Sequence, residues 1–134
     1  MNISAFAVTS LYAALLGLLA ATLTVRVIMG RVKTGVQAGD GGNASLAQAI
    51  RAHANLAEQA PLALILIGLA EAAGVPFLAL HALGVALLVA RLASAWGLSH
   101  SLGASSPRQM GAGLTVLVVV AASASILFRI VMGR

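Results

Sequence analysis

ISAFAVTSLYAALLGLLAATLTVRVIM, residues 3–29, decides the fold class. The only charge in it is Arg26. A helix crosses a hydrocarbon core of about 30 Å with about 20 mostly apolar residues, so this run is long enough to span. Ala13, Gly17 and Ala21 recur in it at four-residue spacing. Small residues so placed let two helices approach closely in lipid. No Lys or Arg precedes the run, whereas Arg26, Arg31 and Lys33 end and follow it. A cleaved signal peptide has the opposite order, so the run reads as a retained first span.

The rest of the chain repeats this composition. Of 134 residues, 60% are hydrophobic and 8% charged, and the mean hydropathy is +1.03. A soluble domain is about 25% charged; a chain this apolar needs lipid as its solvent. The absence of cysteine removes disulfides, a thiol nucleophile and Cys-ligated metal. A net charge of +5 would point to nucleic acid in a soluble chain. Here the basic residues sit at the ends of apolar runs, as in membrane proteins. At 4% aromatic content there are no stacking platforms for bases, and nucleic acid is not an expected partner.

Outward from the first span, Gly30–Ala44 is polar, and Gly39–Gly42 within it reads as a flexible linker. It lacks the Gly-Lys-Ser/Thr of a phosphate loop. Ser45-Leu46-Ala47-Gln48 reads as a capping box, so a second helix is expected over 45–73. At about 1.5 Å per residue it exceeds the hydrocarbon thickness, and Pro61 is expected to kink it. Ala73–Pro76 is a turn. A third helix is expected over 77–96, with Ala82, Ala86, Ala90 and Ser94 as a packing stripe, then a loop over Gly97–Gln109, and a fourth helix over 110–130. The expected architecture is an all-α, four-helix transmembrane bundle forming one domain over 1–134. Four spans put both termini on one face. Lys and Arg are densest around the first and third loops, so the loop-one face is expected to be cytoplasmic and the termini non-cytoplasmic.

The chemistry concentrates in Arg51-Ala52-His53-Ala54-Asn55-Leu56-Ala57-Glu58. At about 100° per residue, Arg51, Asn55 and Glu58 fall within about 60° of one another. Charges in a membrane helix are costly and usually face the protein interior. Two readings stand. Arg51 and Glu58 neutralise each other through Asn55 and fix packing, or the three residues line a polar pocket. Arg26, Arg31, Arg91 and Arg108 should lie at a similar depth, making a cationic cluster suited to an anionic ligand. Snorkelling to lipid phosphates accounts for part of that cluster. His53 lies about 200° from Arg51 and reads as an interhelix partner. His81 and His100 are not placed to share a haem, no metal site is expected, and Glu71 reads as a boundary residue.

The same octapeptide, followed by Pro61 and preceded by Gly39-Asp40-Gly41-Gly42-Asn43 and Leu46, resembles the signature of the membrane-associated proteins in eicosanoid and glutathione metabolism (MAPEG), bacterial branch. The resemblance covers nearly the whole chain. It implies a homotrimer that binds glutathione or a related thiol between subunits and transfers it to a lipophilic small-molecule substrate reached through membrane lipid. It implies cofactor-binding roles for Arg51, Asn55, Glu58, Arg91 and Arg31, with Arg26 as the alternative to Arg31, and a thiol-activating, catalytic role for Arg108. Several members place tyrosine after the Glu and near the end of helix three. This chain has Gln59 there, and Trp96 or Leu98. The departure favours an alternative of the same fold: a non-enzymatic membrane module that binds lipid or stabilises a larger complex. A small exporter is disfavoured because the first helix has no central acid.

Overall fold

The computed structural model describes residues 6–133. Ile3 at the start of the expected first span and Arg134 lie outside them. Four helices follow one another: α1 (Ala7–Thr34), α2 (Ala44–Ala72), α3 (Phe77–His100) and α4 (Ser106–Val131). α2 and α3 pack against each other and both touch α1 and α4, whereas α1 and α4 make no contact. α1, α3 and α4 are long and apolar enough to cross a membrane; α2, which carries Arg51, Glu58 and Glu71, is not among them by composition.

α3 buries a broad face, and the other three helices each bury one narrow stripe. On α2 it is Leu46, Ala49, Ala52, Leu56, Ala60, Ala63, Ile67 and Ala70, a three- and four-residue spacing that returns to one face. α1 contributes Val8, Tyr12, Leu16 and Leu23, and α4 contributes Gly111, Thr115, Val118 and Ala122. The opposite faces are just as apolar: Leu18, Leu78, Leu117 and Ile130 are all exposed. An exterior this apolar fits lipid as solvent.

Helix ends differ from the sequence expectation for local reasons. α1 continues past Met29 to Thr34 because Arg31 and Lys33 lie in its last turn, where cations favour the helix dipole. Gly35 then closes it in the left-handed region, donating its N–H to the Arg31 carbonyl. The start of α2 is capped by Asn43, not by a Ser45–Gln48 box: Asn43 Oδ1 accepts the Leu46 N–H at 2.9 Å. Asn43 is delivered by a built turn in which Asp40 Oδ1 accepts the Gly42 N–H. Gly41 and Gly42 take positive φ in that turn, so this stretch is more than a linker. The third loop shrinks to residues 101–105. Gly97 is helical, and a Cβ there would crowd Ser105 Oγ and the Arg108 backbone; Pro107 starts α4 in its first turn. α2 is continuous through Pro61.

At the start of α1 no side chain of α1 itself acts as cap. Glu71, from the far end of antiparallel α2, supplies one. Its oxygens accept the Val8 and Thr9 N–H groups at 3.0 and 2.9 Å and the Thr9 hydroxyl at 2.6 Å. Tyr12 Oη meets His81 Nδ1 at 2.9 Å, and the Tyr12 ring lies against Gly84, where a Cβ would overlap it.

Candidate functional site

Arg51 and Glu58 are seven residues apart, two helical turns, so their side chains run along one face of α2. They pair through both guanidinium nitrogens, Nη1 to Oε1 and Nη2 to Oε2, each 3.2 Å. The pair is exposed, at 43% and 50%. Asn55 sits between them, turned toward the core. It does not bridge them, as the sequence reading of an internal pair required. Instead its Oδ1 accepts from Arg91 Nη1 of α3 at 3.1 Å.

Arg91 is 1% exposed. Its other contacts reach α4: Nη2 donates to the Gly111 carbonyl at 2.9 Å and to Thr115 Oγ1. Its Nε is buried without a partner. All three acceptors are neutral, so among the described residues no acid is bonded to this buried positive charge. Removing a charge from water costs several kcal/mol unless it is well compensated. The arrangement exists because Gly111 lets α3 and α4 touch. A Cβ there would overlap Ser94 Oγ and the Ala90 carbonyl.

The remaining sequence-selected residues are near this network but separate. Arg31 folds back on its own loop, donating to the Val36 and Gly39 carbonyls at 3.3 and 3.0 Å. Arg108 does the same in the third loop, with Leu102 and Gly103 carbonyls at 3.0 and 3.3 Å. Arg26 donates to Ser99 Oγ at 2.6 Å. Arg51 lines a groove of about 300 Å³ with Asp40, Ile50 and Leu102. Arg26 lines two others, one of about 400 Å³ with Lys33 and Asn43, one of about 430 Å³ with Trp96, Ser99 and His100. Thus the chain joins Arg51 to Glu58 and Asn55 to Arg91, and leaves Arg26, Arg31 and Arg108 apart. Arg91 is placed to hold Asn55. His53 turns toward α1 and lines a shallow groove with Ala13 and Gly17.

Sequence reasoning missed Thr115 and Gly111. The available signal was weak: a hydroxyl four residues after a glycine in an otherwise apolar helix. Trp96 is exposed and Leu98 is buried in the core. The one tyrosine, Tyr12, is engaged with His81 at the far end of the bundle.

Comparison with known proteins agrees with this architecture. The family model for the MAPEG family matches residues 9–128. The inner membrane protein YecN of Escherichia coli, in strain K12 and in serotype O6:H1, is 37% identical over 95 residues, covering 71% of this chain and 72% of YecN. With the match running from the first turn of α1 to the last turn of α4, this multi-pass integral membrane protein belongs to the MAPEG family.

Proposed function

We propose that the loop-one end of the bundle binds glutathione or a related thiol peptide, and that the protein transfers the thiol to lipophilic electrophiles. The observation that carries this is the exposed Arg51–Glu58 pair with Asn55 between its members. A guanidinium fork takes a carboxylate, a carboxylate takes an ammonium, and an amide takes a peptide group, so this donor set fits a zwitterionic peptide. When bound, the thiol supplies the sulfur nucleophile. Arg108 would hold it as thiolate, since a nearby cation lowers a thiol's pKa. For that, its guanidinium must leave the Leu102 and Gly103 carbonyls.

In this reading α2 is the fourth span, the protein is a homotrimer, and Arg26, Arg31 and Arg108 complete a site between neighbouring subunits. The loop-one face is cytoplasmic. Reporter fusions at Gly41 and at Met132 should then report opposite sides, with the cytoplasmic signal at Gly41; a cytoplasmic signal at Met132 overturns that orientation.

A second reading, a non-enzymatic module that binds lipid or steadies a larger complex, is favoured by Gln59 and by the commitment of Tyr12 to His81, which leave the site without tyrosine. The deciding test is thioether formation from glutathione and an aromatic halide by purified protein. Product is expected, and Arg108→Ala should slow its formation while glutathione binding persists. Binding without product in the wild type would turn the assignment to the module. No binding would remove the thiol altogether.

A further inference from the structure

At the end of the bundle that carries the α2–α3 turn, the start of α3 and the last turns of α4 leave a groove of about 580 Å³ between them. Pro76 and Ala79 form one wall, Ala124, Phe128 and Met132 the other. Ser125, also in the lining, turns its hydroxyl back to its own helix and donates to the Ala121 carbonyl at 2.7 Å. The single charge in the lining is Arg129. Ala79, Ala124 and Phe128 are all exposed, so the groove opens sideways, where a spanning helix meets lipid.

Arg129 carries a charge that the acids of the chain do not balance. There are three of them. Asp40 is in the first loop, where it accepts the Gly42 N–H. Glu58 pairs with Arg51. Glu71 spends both oxygens on the start of α1. Among the described residues Arg129 has one hydrogen bond, from Nη2 to the Gly74 carbonyl. That bond holds the guanidinium against the turn and leaves Nη1 and Nε for a further acceptor. The depth is that of a lipid headgroup. α4 has 26 residues, about 39 Å of helix, against a hydrocarbon core of about 30 Å, and Arg129 is in its last turn. Ala124 lies about 7.5 Å deeper along the helix, among the acyl chains.

We propose that this groove is a phospholipid site: one acyl chain lies against Ala79, Ala124 and Phe128, and the phosphate diester of an anionic phospholipid takes Arg129. A guanidinium fork matches phosphate oxygens in two-point contact. The phosphate of phosphatidylcholine is already balanced by its own choline, whereas that of phosphatidylglycerol is not, so the unbalanced arginine selects the second. The site is at the opposite end of the bundle from Arg51 and stands whether or not that end binds a thiol.

The test is photolabelling of the full chain in vesicles by phosphatidylglycerol with a diazirine on one acyl chain. Label mapped by mass spectrometry should fall on Ala79 and on α4 between Ala124 and Phe128. Excess phosphatidylglycerol should displace it; phosphatidylcholine and inorganic phosphate should not. Arg129→Gln removes the charge but keeps an N–H donor for Gly74, and should cut the label several-fold. Ala124→Phe fills the groove from an exposed position, so it should melt like wild type in detergent and lose the label as well. If Arg129→Gln melts lower, Ala124→Phe, which leaves the turn alone, carries the decision. Undiminished label in Ala124→Phe, or in an Arg129→Gln protein of wild-type stability, overturns the proposal. So does equal displacement by phosphatidylcholine, which would make the groove a face that any lipid wets. Displacement by inorganic phosphate would make Arg129 a plain anion site and overturn the part given to the acyl chain.

Discussion

At the end of the bundle that carries the α2–α3 turn, Glu71 places both oxygens on the start of α1, Tyr12 meets His81, and Arg129 donates to the Gly74 carbonyl. At the other end, Arg51 and Glu58 face outward, Arg91 is buried beside neutral groups, and Asn55 Oδ1 accepts from Arg91. The first set ties helices together and ends on backbone. The second is open to a further molecule and holds a charge whose burial costs stability. Polar groups inside an apolar bundle are expensive in both places. Among the described residues, the buried polar atoms left without a partner, Arg91 Nε and Ser105 Oγ, lie at the loop-one end, and an incompletely used polar group is what a protein keeps where it trades stability for function.

The sharpest test of this contrast is Glu71→Ala. It strips two backbone N–H groups and a hydroxyl of a charged acceptor at the start of α1. Loss of such a cap should lower stability by about 2–4 kcal/mol, read as detergent melting, with glutathione affinity unchanged. A Glu71→Ala protein that melts like wild type but binds less would reverse the roles of the two ends.

Arg51→Ala should do the converse. Its partner Glu58 is half exposed, and pairs of that kind contribute about 0–1 kcal/mol, so melting should hardly change. A charged hydrogen bond to a ligand contributes about 1.5–3 kcal/mol, so affinity by calorimetry should drop about 10- to 150-fold. A large fall in melting temperature with affinity intact would make the pair structural.

How much of this was legible in the sequence follows from the range of each signal. The helices were, because an apolar run sets a span by itself, and the Arg51–Glu58 face was, because helical periodicity is local. Helix ends were not: His100 and Arg108 look like loop residues, yet His100 lies in the last turn of α3, where such a group suits the helix dipole, and Arg108 enters the first turn of α4 behind Pro107. The partner of Asn55 was not, because Arg91 lies 36 residues away and its burial depends on how α3 crosses α4 at Gly111. Glu71 read as a boundary residue for the same reason. Its three donors are more than 60 residues distant.

A small gain in melting is expected at Gly17. Its spacing with Ala13 and Ala21 points to a close helix seam, and among the described residues no helix is pressed against it: a Cβ at Gly17 meets nothing within 4 Å. Gly84 and Gly111 are the contrast, each with a neighbour already in the place of a Cβ. An alanine at Gly17 should therefore leave the fold of one chain unharmed, and the better helix propensity would add about 0.5–1 kcal/mol. If the stripe instead meets a second copy, the added methyl, and more so the side chain of Gly17→Leu, pushes the subunits apart. Native mass spectrometry from mild detergent should show trimers for wild type and loss of trimer for Gly17→Leu, with glutathione affinity falling alongside because the site needs its neighbour. Trimers of undiminished stability in Gly17→Leu would place the seam against lipid and send the search for the interface to another face.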